Sequence, residues 1–192
     1  MKYVRYIGLV IGLMLVLATI SFAQDERPED VINSIRQSSK EGYLGATWGM
    51  KEQEVIEALQ KRSLSFTVDA NSIHVQKNVA GLNTNIQFSF FGLHLRKVFL
   101  VFDKPEQGVL HFSKLQKLLT LKYGSPIKET DEINETGTTK ETDFQTDESY
   151  IGLYHFFYDK TRLFGLTYRS KRMEEYEQAL SRSTHANDLD DL

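Results

Sequence analysis

The sequence predicts an α+β fold: an antiparallel, aromatic-rich β-sheet with helices packed on one face, ordered as two helix-plus-meander repeats. Three observations carry this expectation. Residues 51–62 and 113–123 hold apolar side chains at helical spacing. Each is followed by short segments rich in β-branched and aromatic residues, broken by turn-type clusters. The 12 Phe and 9 Tyr concentrate on two of the resulting hairpins, where large rings suit a pleated, half-buried surface.

The chain opens on "MKYVRY", with Lys2 and Arg5, then a charge-free apolar run over residues 7–20. "SFA" places Ser21 and Ala23 at the small positions before a cut, and "QDERPED" turns polar at once. That is the order of a secretory signal peptide cleaved after Ala23. A retained anchor is the alternative, but a spanning helix wants about 20 apolar residues and this run is shorter. Cleavage leaves 21 basic against 26 acidic residues, a net charge of −5. The expected location is periplasmic or secreted, with membrane contact only through the signal peptide before cleavage.

Residues 24–42 read as a polar leader, in which Val31, Ile32 and Ile35 also allow one short helical stripe. Residues 43–183 form the domain, with repeats at 43–107 and 108–183. In "WGMKEQEVIEALQKR", Val55, Ile56 and Leu59 share a helix face. Glu54 supplies the carboxylate half of a capping box, although Lys51 is a poor cap. "LSFTV" and "SIHVQKNV" read as strands around the turn "DANS". "TNIQFSFF" alternates, as a half-buried strand does. Val98 to Phe102 are apolar on both faces, the pattern of a central strand. In "SKLQKLLTLKYGSP", Ser113 and Gln116 match a capping box. Phe112, Leu115, Leu118, Leu119 and Tyr123 trace an apolar face, and Gly124 and Pro126 end the helix. Residues 128–149 are acidic and Thr-rich and fit either a polar hairpin or a loose loop. A hairpin turning near Asp159-Lys160 follows. A last helix near residues 171–182 places Met173, Tyr176 and Leu180 on one side, before an acidic tail at 184–192.

Several chemistries are excluded by residue type. There is no cysteine, hence no disulfide, thiolate site or lipidated N-terminal Cys. The net charge of −3 gives no basic field for nucleic acid. The five histidines lack the H-E-x-x-H spacing, and neither a nucleophile elbow nor a Gly-rich phosphate loop is present. No pattern implies a catalytic set, a metal centre or a cofactor. His94 and His155 both fall on hairpin strands, so an enzyme using one of them is the third reading.

The aromatics point elsewhere. Phe90-Phe91 and Phe156-Phe157 send neighbouring rings to opposite faces. Helices on one face would leave aromatic surface on the other, a mark of a binding surface. Trp48, Phe91, Phe157 and Tyr158 are the candidate binding residues. Trp48, between Gly45 and Gly49, is either a ligand platform or a plug that seats a helix on the sheet.

"GATWGMKEQEV" resembles the W-G-M-S-K-E-E-V pattern of uncharacterised exported bacterial domains, and "LKYGSP" (121–126) resembles the helix end that follows in them. These look like the helix-plus-antiparallel-sheet modules of β-lactamase inhibitor proteins and small outer-membrane assembly lipoproteins. Lys51 stands where the pattern has a capping Ser, and the lipoprotein cysteine is absent. The resemblance implies a binding module and carries over no active-site residue. The expectation is an exported, non-enzymatic protein-binding module of the cell envelope whose partner is another envelope protein. The alternative is a periplasmic carrier of a small apolar ligand, with Phe88, Phe99 and Tyr168 lining a dry pocket.

Overall fold

Val98 to Phe102, apolar on both faces, lie in one of the two middle strands of an eight-stranded antiparallel sheet. A computed structural model describes residues 28–134, 137–158 and 160–190. The expected signal peptide and cleavage site lie outside them, as do the first residues of the leader and the last two of the tail. In chain order the elements are α1 (Pro28–Ser38), β1 (Gly42–Tyr43), β2 (Ala46–Thr47), α2 (Glu52–Lys61), β3 (Phe66–Asp69), β4 (Ser72–Val79), β5 (Leu82–Phe91) and β6 (His94–Phe102). A single 3-10 turn (Pro105–Gln107) then leads to α3 (Gly108–Tyr123), β7 (Lys128–Asn134), β8 (Gly137–Gln145), β9 (Ser149–Tyr158), β10 (Thr161–Ser170) and α4 (Lys171–Asp190). The described residues from Ile32 onward form one compact unit.

The sheet order is β3-β4-β5-β6-β10-β9-β8-β7. Each half is a helix followed by a four-strand meander, and the last strands of the two meanders pair antiparallel, Leu100 opposite Leu166. Residues 128–149 form a hairpin, with Lys128 opposite Asp143 and Asn134 opposite Gly137. The aromatic hairpin joins Tyr158 to Thr161, where the turn is expected.

Strand alternation sorts the side chains into two faces. One carries Ile73, Val75, Ile86, Phe88, Val98, Leu100, Leu166, Phe164, Ile151 and Leu153, all buried. α2 brings Val55 and Leu59 to this core, and α3 brings Phe112, Leu115 and Leu119. Burial of this many large side chains, each worth about 1.5–3 kcal/mol, holds the domain without disulfides. α1 is the helical option for the leader, with Ile32 and Ile35 buried. Glu54 accepts the Lys51 N–H at 2.8 Å, the carboxylate half of the box, and its other oxygen pairs with Arg36.

Three helix readings change. α3 begins at Gly108, so Ser113 and Gln116 are internal rather than a capping box. Pro105, which lacks an N–H, starts the preceding 3-10 turn and nucleates the helix earlier. Leu118 lies on the flank of the apolar stripe and is exposed. α4 runs on to Asp190, past the stretch that its apolar spacing marks.

Trp48 is the plug. It is 1% exposed, and its indole N–H donates to Ser149 Oγ at 2.9 Å. Ser149 Oγ in turn donates to Glu41 Oε2 at 2.6 Å. Gly49 makes the entry tight: its φ is +81°, and a Cβ there would sit 3.1 Å from the Arg36 backbone nitrogen. A two-residue turn at Leu44 and Gly45, both with positive φ, closes the β1–β2 hairpin just before it.

Candidate aromatic binding face

The face of the sheet opposite α2 and α3 is the candidate site. β9 sends Ile151, Leu153 and His155 into the covered face, so Tyr150, Gly152, Tyr154, Phe156 and Tyr158 take the other. Across the sheet, Asp143, Gly152, Thr167, Phe99, Gln87 and His74 stand in one register row. Glu141, Tyr154, Gly165, Val101 and Asn85 stand in the next. Near Phe91, Tyr176 of α4 meets its ring edge-on at 6.4 Å. Arg96–Glu177 and Arg169–Glu174 ion pairs pin α4 at that same end.

Two glycines shape the middle. A Cβ at Gly165 would fall 2.6 Å from the Tyr154 hydroxyl, so the Tyr154 ring lies across the bare backbone of β10. It stacks with Phe156 at 5.5 Å and is 7% exposed despite facing outward. Burial pushes its phenol up to about 12. A Cβ at Gly152 would sit 3.0 Å from Thr167 Oγ1 and 3.1 Å from Asp143 Oδ1, which lean into that gap. Lys97 Nζ sits 4.1 Å from the Phe99 ring centre, a cation–π geometry. Burial and the nearby Arg169 and Arg96 charges push the Lys97 ammonium down. Burial and Glu141 push the Asp143 carboxyl up. Both charges are thus partly stripped of water in the free chain.

The four candidate residues do not meet on one surface. Trp48 is buried beneath the covered face. Phe91 is half-buried at the α4 end, with Arg96 5.9 Å from its ring centre. Tyr158 is 60% exposed at the far end of the aromatic row. Phe157, its neighbour, points the other way and lines a cleft. The pattern missed Tyr150, Tyr154, Phe156 and Phe99 as one surface. The signal was present in "SYIGLYHFFY": its even-numbered positions from 150 are aromatic apart from Gly152.

The alternative pocket is not assembled. Phe88 and Tyr168 lie on the covered face and Phe99 on the opposite one. Tyr168 instead packs with Tyr43, ring centres 5.2 Å apart. His94 and His155 stand at opposite ends of the sheet, and His94 Nδ1 is 2.8 Å from the Gly49 carbonyl oxygen. Among the described residues no group of three His, Cys, Asp or Glu could hold a metal ion, and no helix is long and apolar enough to cross a membrane.

On the covered side, a cleft of about 220 Å³ is lined by Glu106, Val109, Thr138, His155, Phe157 and Arg162. His155 is 6% exposed. Burial pushes its imidazole down; hydrogen bonding to Pro105 opposes this, and the Arg162 and Lys140 charges reinforce it. Pro105 has no N–H, so the ring donates to its carbonyl. Gly108 makes room: a Cβ there would lie 2.4 Å from His155 Cδ2.

Comparisons with protein-family models, curated proteins and solved structures return no match to the chain.

Proposed function

We propose that the chain is an exported binding module that docks a protein partner on the aromatic face of its sheet. One observation carries this reading: Tyr150, Phe156 and Tyr158 of β9, with Phe99 of β6, lie on the face opposite α2 and α3, over the buried Tyr154. The outer face of an antiparallel sheet is ordinarily polar. Rings fixed on strands offer large apolar area at small entropic cost. Eight strands at ~4.8 Å spacing and ~3.4 Å per residue give a face of about 900 Å². A standard interface takes about 800 Å² from each partner. The charged rim of Lys97, Arg169, Asp143 and Glu141 would set orientation. Export rests on the N-terminal Lys2 and Arg5, the apolar run and the Ala23 flank. The resemblance to exported helix-plus-sheet modules supports the same reading.

The test places a photoreactive residue at Phe156 or Phe99, and a control at Leu121 on α3, which is 85% exposed. Irradiation in the producing cells should give one dominant protein adduct from both sheet positions and none from Leu121. Phe99→Ser should abolish the Phe156 adduct in a chain that keeps the wild-type circular dichroism spectrum. A folded chain that gives no adduct specific to this face would overturn the proposal.

A further inference from the structure

Arg162 and Glu106 line one cleft yet do not pair. Among the described residues neither makes an ion pair. Two unjoined opposite charges lining one cleft offer one contact to an anion and one to a cation. The Arg162 guanidinium lies over the Phe157 ring, 4.9 Å from its centre, and presents a planar donor fork. Glu106 lines the same cleft from the 3-10 turn before α3. Phe157 and Val109 supply apolar walls, and both are exposed in the free chain. The buried His155 ring, held by the Pro105 carbonyl, and Thr138 complete the lining. Lys140 is engaged elsewhere, 2.7 Å from Asp131 Oδ2.

We infer that this cleft is a site for a small zwitterion with an apolar side chain, a free α-amino acid. The carboxylate would sit on Arg162, the ammonium on Glu106, and the side chain between Phe157 and Val109. A simple anion would meet Arg162 but face Glu106 without a counter-charge. A simple cation would meet the reverse. A zwitterion satisfies both. At about 220 Å³ the cleft falls below the ~300–1,000 Å³ of drug-sized sites, which suits a single amino acid. The site lies on the face opposite the aromatic row, so it stands whether or not that row binds a protein.

Titration of the purified full chain with L-leucine, followed by NMR, tests this. Isocaproate, the same molecule without the amine, and isoamylamine, without the carboxylate, are the companion probes. Leucine should shift resonances of Phe157, Thr138 and Val109, and each companion should bind about tenfold or more weakly, since a charge-assisted contact is lost. Arg162→Gln should cost leucine a similar factor. Glu106→Gln should cost leucine as much but leave isocaproate unweakened. Both side chains are exposed, so the variants should keep the wild-type spectrum elsewhere. No saturable shift at millimolar leucine, or binding of isocaproate equal to that of leucine, would overturn the assignment.

Discussion

Replacing Trp48 by Phe asks whether the indole is structural. Trp48 is 1% exposed and its N–H reaches Ser149 Oγ at 2.9 Å. The substitution removes the pyrrole part of the ring and leaves a void that the rigid Gly49 entry cannot close. Truncating a buried Trp to Ala costs about 3–5 kcal/mol, so the smaller change to Phe should cost roughly 1–2. Losing the N–H leaves Ser149 without its donor, a further ~0.5–1.5 kcal/mol. The sum is about 2–3 kcal/mol. At ~2–4 °C per kcal/mol for a domain of this size, melting should fall by roughly 5–10 °C. Thermal and urea unfolding followed by circular dichroism measure the two quantities, because the variant lacks the fluorescent probe. Ser149→Ala should cost ~1–3 kcal/mol, since it leaves the buried indole N–H unpaired, and it also removes a donor to Glu41 Oε2. The double variant should cost less than the two singles together. A Trp48→Phe chain within about 0.5 kcal/mol of wild type, together with native tryptophan fluorescence quenched freely by iodide, would refute the plug.

Three further outcomes follow from other contacts. Gly108→Ala places a methyl 2.4 Å from His155 Cδ2 and should destabilise by about 1–3 kcal/mol; His155→Ala in the same chain should recover much of that loss in a urea series. Gly124→Ala meets nothing within 4 Å but adopts φ +86°, so it should cost about 1–2 kcal/mol and no second substitution should relieve it. His155 has a folded pKa below the 6.5 of the unfolded chain; the unfolded state therefore binds the extra proton first. Its contribution is full above about pH 6.5, falls as pH drops below that value, and levels off below the folded pKa. Urea midpoints between pH 5 and 7.5 should show this slope, and His155→Gln should flatten it.

The sheet was legible because its signals are local. Val98–Phe102 announced a central strand, and Ile86, Phe88 and their polar neighbours announced a one-sided one. Gly124 stopped α3 where expected, with φ +86°. The start of α3 was not legible, because "GVLHF" has no capping residue and takes its helical form from the 3-10 turn at Pro105. β1 and β2 are two residues each, too short for any periodicity. The aromatic face was half legible. Alternation in β9 fixes which rings share a side, but only the pairing of β6 with β10 brings Phe99 beside them. The cleft was legible only in part: the expected hairpin turn sets Phe157 opposite Arg162, but Glu106 reaches them from a distant segment that no local pattern ties to that hairpin.

The seam between β6 and β10 also governs how the chain assembles. Every other neighbouring pair in the large sheet is made by strands consecutive in sequence, so those hairpins close short loops and form early. The seam alone must wait for two finished meanders to find each other. Until it closes, each half exposes a long apolar strand edge, and an identical edge waits on every other nascent copy. Exchange of halves between two chains is then the natural misassembly. Refolding at high concentration should yield a dimer that converts to monomer only through unfolding. Its absence in size-exclusion chromatography across a concentration series would mean that the seam closes faster than chains meet.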